Sequence, residues 1–229
     1  MTSKLVVFDV DGTLVDSRAI LMHTAQTAFA ELGLTPPTYD ELRQIVGLSL
    51  YEGLAQLAPD LTTEQVEALV ALYKSIFSSL RSRPGFIEPL YEGAAVLLER
   101  LKAEGWRMAL ATGKSRRGVN TIVEMHRWAD LFHSTHCADD GPGKPHPAML
   151  IEAMRALNAA REDTIMIGDT SHDIRMAQAA GVRAVGVSWG FHTREELEAC
   201  RPDYIADTFA ELDAELDRFG VFPSWRAEG

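Results

Sequence analysis

The chain has 229 residues, 46% of them hydrophobic and 24% charged, with a formal net charge of −11. At roughly 150 residues per domain this is one large domain or one with a small insertion, which excludes a repeat array or a disordered tail. The acid excess argues against nucleic acid or an anionic membrane as partner, since both need a basic face, and Cys137 and Cys200 are too few and too far apart for a disulfide framework.

The first ten residues hold one lysine and a short apolar run ending at Asp9, unlike a signal peptide. No run of about 18 apolar residues follows, so no membrane span is expected. A reducing cytoplasm is the expected location. Apolar runs at 5–10, 108–112, 164–168 and 184–187 have strand length, and amphipathic stretches at 93–104, 119–128, 148–157 and 174–180 have helical periodicity. Nearly all-apolar strands alternating with helices predict a doubly wound α/β fold around a mostly parallel sheet buried on both faces.

From about Ser17 to Pro84 the rhythm changes, and only helical periodicity remains. The spacing predicts one helix over 19–32, two over 40–58 broken near Gly47, and one over 63–80 capped by Thr62 or Thr63. Residues 17–84 therefore read as an all-helical insert, a lid, on a core made of 1–16 and 85–229. Further on the charge is uneven: 195–229 holds ten acidic residues against three arginines and so carries most of the excess.

The strongest motif is Phe8-Asp9-Val10-Asp11-Gly12-Thr13-Leu14-Val15-Asp16-Ser17, directly after the first strand. Strand alternation puts Asp9 and Asp11 on one side at the carboxyl edge of the sheet, where open α/β folds bind ligands. Two close carboxylates repel unless a metal or a shared proton holds them. An EF-hand loop does not fit, because Gly12 follows Asp11 at once and the terminal glutamate position is Ile20. A plain Asp-Gly turn is demoted by three further clusters at strand ends. Ala111-Thr112-Gly113-Lys114 offers a hydroxyl and free N–H groups, Gly143-Lys144-Pro145 offers an ammonium group, and Gly168-Asp169-Thr170-Ser171-His172-Asp173 offers two more carboxylates. Neither a Walker loop nor a Gly-x-Gly-x-x-Gly fingerprint is present.

Together these four motifs resemble the haloacid dehalogenase superfamily of phosphohydrolases, over essentially the whole chain. The stretch 166–190, with Ala180-Gly181 and Val187-Ser188-Trp189-Gly190, is similar to the phosphoglycolate phosphatase branch, and the helical insert to that branch's cap. The resemblance implies that Asp9 attacks phosphorus and that Asp11 serves as general acid and then base. It implies Mg²⁺ held by the Asp9 carboxylate, the Asp11 carbonyl and Asp169, with Asp173 behind them orienting Lys144 or a metal-bound water. Lys144, Thr112 and the Gly113 N–H would neutralise the phosphoryl oxygens. The retained Asp11 separates the chain from the family's dehalogenases, which lack that acid.

The resemblance implies a small phosphorylated metabolite as substrate and a monomer or homodimer. A pyrophosphatase, another sugar or nucleotide monophosphatase, a phosphomutase and a non-catalytic binding protein on the same fold are the alternatives. Zinc at His133, His136, Cys137 and Asp139 lacks a second ligand pair. His146 and His172 flank the motif loops as structural residues, Asp16 and Ser17 read as helix caps, Arg116 and Arg117 equally as anion-steering residues or as a solvated first turn, and Trp189 and Phe191 as loop packing. Arg43, Gly47 and Ser49, at the break between insert helices, are the positions expected to face the substrate. Glu92-Gly93 stands where similar proteins often have a proline before the glycine, with a local effect expected.

Overall fold

The structure, a computed structural model, describes residues 4–221. Residues 1–3 and 222–229, including the end of the acidic stretch, lie outside the described residues. In chain order the elements are β1 (Leu5–Phe8), α1 (Arg18–Glu31), α2 (Tyr39–Ile45), α3 (Leu50–Leu57), α4 (Thr63–Arg81), α5 (Ala94–Ala103), β2 (Arg107–Thr112) and α6 (Arg116–Met125). They continue with β3 (Ser134–Cys137), α7 (Ala148–Ala156), β4 (Thr164–Gly168), α8 (Ser171–Ala180), β5 (Arg183–Val187), α9 (Arg194–Ala199), β6 (Tyr204–Ala206) and α10 (Phe209–Val221). No helix among the described residues is long and apolar enough to cross a membrane.

The six strands form one sheet in the order β3-β2-β1-β4-β5-β6, and every pairing is parallel. Alternation along β1 sends Val6 and Phe8 to one face, packed with Leu98, Leu101, Trp128 and Leu212. Leu5 and Val7 go to the other, against Leu150, Ile174 and Ala177. A sheet covered on both faces needs strands that are apolar throughout, which is why β1 is recognisable as Leu-Val-Val-Phe. β1 pairs with β2 on one side and β4 on the other, so the strand order reverses there and a crevice opens at its carboxyl end.

Two strands escaped the sequence pattern. β3 is a half-buried edge strand, Ser-Thr-His-Cys, and β6 has three residues, so neither has an apolar run. β1 also ends at Phe8, two residues before the predicted end. Val10 instead takes the N–H groups of Leu14 and Val15 in a tight turn, in which Gly12 adopts φ 84°.

The segment between that turn and α5 is helical, α1 to α4, with a buried cluster of its own around Ala25, Phe29, Leu42, Leu54 and Leu69. Capping explains its boundaries: Thr38 and Thr62 each accept the N–H of the third helical residue, whose side chain reaches back to the threonine N–H. Gly47 breaks α2 from α3 with φ 95°. Ser17 occupies the position before α1, but its side chain makes no capping bond; Asp16 accepts the Arg18 N–H at the helix start, at 3.3 Å, and also pairs with the Arg18 guanidinium. The entering and leaving connections lie side by side, with Asp16 N–H donating to Pro89 O at 2.8 Å and Tyr91 N–H to Leu14 O at 3.0 Å.

Candidate active site

At the carboxyl end of β1 the chain carries Asp9, 1% exposed, whose N–H donates to Ile167 O and continues the register with β4. From the end of β4 comes Asp169, fully buried. Its Oδ1 accepts from Thr13 Oγ1 and its Oδ2 from Phe191 N, each at 2.8 Å. Space for that carboxylate is made by glycine: a Cβ at Gly12 or Gly190 would stand 2.1 or 2.2 Å from Asp169 Oδ2. Asp173, in the first turn of α8, divides its oxygens. Oδ2 takes the N–H and hydroxyl of Thr170, capping the helix, and Oδ1 faces Lys144 Nζ at 2.6 Å.

Lys144 is buried and also lies 2.7 Å from Asp9 Oδ1, so it bridges two of the three carboxylates. Asp9, Asp169 and Asp173 each offer an oxygen within 4.8 Å of the others. Burial pushes the Asp9 carboxyl up to about 7, helped by Asp173 and Asp11 and opposed by Lys144. Burial likewise pushes Asp169 well up, reinforced by Asp9 and Asp173. Lys144 is raised as well, which for an amine favours the charged form: burial disfavours its charge, but Asp173 and Asp9 outweigh that and hold it protonated.

Three carboxylates against one lysine leave an excess of negative charge in a dry site, and the buried Asp9 Oδ2 has no hydrogen-bond partner among the described residues. Hard oxygen donors and uncompensated charge fit a divalent cation such as Mg²⁺.

Other predicted residues are placed differently. Asp11 lies in the turn that follows Asp9, but its carboxylate pairs with Lys114 Nζ at 2.9 Å. Thr112 ends β2, buried, and accepts the Lys114 N–H. Gly113 lies against the insert: a Cβ there would meet Leu48 O at 2.4 Å and Gly47 O at 2.8 Å. Arg43 is held by Glu196 at 2.5 Å and by Asp40, and Ser49 caps α3 and bonds Glu52, so neither side chain is free to meet a ligand in this arrangement. Gly47 approaches Thr170 Oγ1.

His172 Nε2 meets Gln44 O, and His146 Nδ1 accepts the Ala148 N–H at the start of α7. Arg116 pairs with Asp140, and Arg117 donates to Ser78. Trp189 and Phe191 do pack the loop, and each also hydrogen-bonds the site: Trp189 Nε1 to Thr13 O, and Phe191 N to Asp169. Sequence reasoning named Lys114 without giving it a role and missed Glu88, which is fully buried 3.2 Å from Lys114 Nζ. A lone glutamate between Ile87 and Pro89 carries no signal of burial.

A family model for haloacid dehalogenase-like hydrolases matches residues 6–187. The chain belongs to this family. The probable phosphatase IndB of Dickeya dadantii is 37% identical to it over 91% of each chain. A phosphoglycolate phosphatase of Vibrio parahaemolyticus is 31% identical over 91% of this chain and 94% of its own. The pyrophosphatase PpaX of Bacillus mycoides is 28% identical over 95% and 99%. Among solved structures, a haloacid dehalogenase-like hydrolase of Streptococcus pneumoniae superposes with a TM-score of 0.79 at 28% identity, covering 93% of this chain and 98% of that one. This haloacid dehalogenase-like hydrolase is an enzyme by family, and its named relatives are phosphatases.

Proposed function

We propose that the protein is a Mg²⁺-dependent phosphatase that hydrolyses a small phosphomonoester, of the phosphoglycolate type, through an aspartyl-phosphate on Asp9. Asp9, Asp11 and Lys144 are the catalytic residues, and Thr112, the Gly113 N–H and Lys144 bind the phosphoryl oxygens. Asp9, the Asp11 carbonyl and Asp169 would hold the metal, and Asp173 orients Lys144. Residues 17–84 form the cap, on a core of 1–16 and 85–229. The observation that carries this reading is the buried Asp9: one oxygen faces Lys144 at 2.7 Å and the other has no hydrogen-bond partner among the described residues.

In the first step Asp9 attacks phosphorus, the bond to the leaving oxygen breaks, and Asp11 gives that oxygen its proton. In the second, Asp11 takes a proton from water, the water oxygen bonds phosphorus, and the bond to Asp9 breaks. Lys144 neutralises the phosphoryl oxygens throughout and Asp173 keeps its ammonium in place. The bound cation would supply charge stabilisation on the transferring group. The helical insert shields the site from water.

The PpaX relatives favour a second reading, inorganic pyrophosphate as substrate, with the same residues in the same roles. A panel of phosphomonoesters and pyrophosphate, with and without Mg²⁺, tests both, with Asp9→Asn as control. We expect turnover only with Mg²⁺ and a loss of several orders of magnitude in Asp9→Asn. Equal turnover by the variant would remove Asp9 as nucleophile, and preference for pyrophosphate over every monoester would select the second reading.

A further inference from the structure

Beside Asp11 sits a second lysine. Lys114 Nζ lies 2.9 Å from Asp11 Oδ1 and 3.2 Å from Glu88 Oε2, and its side chain is 7% exposed. Glu88, fully buried, gives its other oxygen, Oε1, to Arg81 at 2.5 Å. Its backbone is fixed to the end of α6: its N–H points at Met125 Sδ, 3.3 Å away, and its carbonyl lies 2.9 Å from His126 Nε2. The Phe77 ring of α4 lies 4.4 Å from the Arg81 guanidinium and 5.9 Å from the Lys114 ammonium. Charge therefore alternates along Asp11, Lys114, Glu88 and Arg81, from the turn after β1 to the last residue of α4.

We propose that Lys114 is a positioning residue for Asp11, and that Glu88 holds Lys114 in place, so that the segment leaving the helical insert sets the direction of the Asp11 carboxylate. The inference rests on the reading of Asp11 as general acid and base. A carboxyl on a short side chain can turn about two bonds, and an acid must stay within hydrogen-bond reach of the atom it protonates. The ion pair at Oδ1 removes that freedom and leaves Oδ2 for the leaving oxygen. When the proton moves to that oxygen and its bond to phosphorus breaks, the Asp11 carboxylate left behind lies against the Lys114 ammonium. Glu88 in turn keeps the lysine from following Asp11, since the move would strip a buried carboxylate of one of its two cations.

The test compares glycerol phosphate, whose alkoxide leaves only if protonated, with p-nitrophenyl phosphate, whose phenolate leaves without a proton. Lys114→Met should lose about 100-fold in kcat on glycerol phosphate, the cost of a misplaced catalytic group, and under about 10-fold on the aryl ester. KM should change little, and Lys114→Arg should recover part of the loss. Glu88→Gln, which keeps the side chain's shape, should shift the preference in the same direction by a smaller factor, and it carries the test if Lys114→Met does not fold. Equal losses on both substrates, a change confined to KM, or an unshifted preference in Glu88→Gln would overturn the proposal. Asp11→Asn, run in parallel, separates the two readings. If it shows the leaving-group preference and the Lys114 and Glu88 variants do not, positioning alone fails; if it shows none, the acid role fails and takes this inference with it.

Discussion

Asp9, Asp169 and Asp173 are buried together with Lys144 bridging two of them, so without a cation every added negative charge raises the energy of the folded state. The sign of the pH dependence follows. The Asp9 carboxyl ionises near 3.8 when exposed and at about 7 when folded, so between those values the folded chain holds the extra proton. Stability of the metal-free protein is then greatest below about pH 4 on this account and falls as pH rises to about 7. Thermal scans in chelator should show Tm dropping by several degrees from pH 5 to 8, and Mg²⁺ should restore it at pH 8 with little effect at pH 5. A flat Tm in chelator would contradict the charge argument. Asp169→Asn should raise the metal-free Tm at pH 8 and lose the Mg²⁺ response. Its amide oxygen can still accept the Phe191 N–H and its NH₂ can donate to the Thr13 hydroxyl, so one charge is removed and both contacts are kept. Unchanged Mg²⁺ stabilisation in that variant would take Asp169 out of the metal site.

At the scale of elements, the end of β2 meets the loop between α2 and α3. Gly113 leaves no room for a side chain, since a Cβ would sit 2.4 Å from the Leu48 carbonyl oxygen, and backbone cannot yield as a flexible side chain does. Gly113→Ala should therefore push the α2–α3 loop away from the core and lower kcat/KM at least about tenfold. The sheet should survive, as judged by unchanged far-UV circular dichroism. Activity equal to the parent would show that this close approach does not matter to the reaction. The elements themselves were legible where burial was complete on both faces. β1, β2, β4 and β5 have strand-length apolar runs, whereas β3 and β6 do not, because an edge strand has fewer neighbours to demand apolar side chains. The turn after β1 carries the alternating strand pattern through Val10, although Gly12 reverses the chain at φ 84°.

Across the whole molecule, α2 is clasped to α8 and α9 by polar contacts. Arg43 and Gln44 of α2 both reach Glu196 of α9, at 2.5 and 2.6 Å, and the Gln44 carbonyl meets His172 of α8. Glu196 is partly buried, which opposes its ionisation, but bonds from Arg43, the Thr193 N–H and Gln44 outweigh this and bring it down to about 2. A partly buried pair that still touches solvent contributes about 1 kcal/mol, enough to shift an open and closed balance severalfold without threatening the fold. Arg43→Met should raise KM by up to about fivefold with kcat nearly unchanged and move Tm by only a few degrees, since the insert keeps its own core. The KM difference should shrink in high salt, which weakens the parent's clasp. A KM equal to the parent's at low salt would show that the clasp plays no part in closure.

Composition and periodicity sufficed for the α/β fold class and for helices between β1 and β2, and the four polar motifs can be read directly, although Lys144 lies in the loop beyond β3 and not at a strand end. Apolar runs and helical periodicity are local consequences of burial, and the motif residues are contiguous along the chain. What the tertiary structure decided is which charges meet. That Asp9 faces Lys144 while Asp11 faces Lys114, and that Glu88 is buried between Lys114 and Arg81, depends on separate segments converging at the carboxyl edge of the sheet. Such pairings depend on distance and on exclusion of water, two quantities that spacing along a chain does not encode.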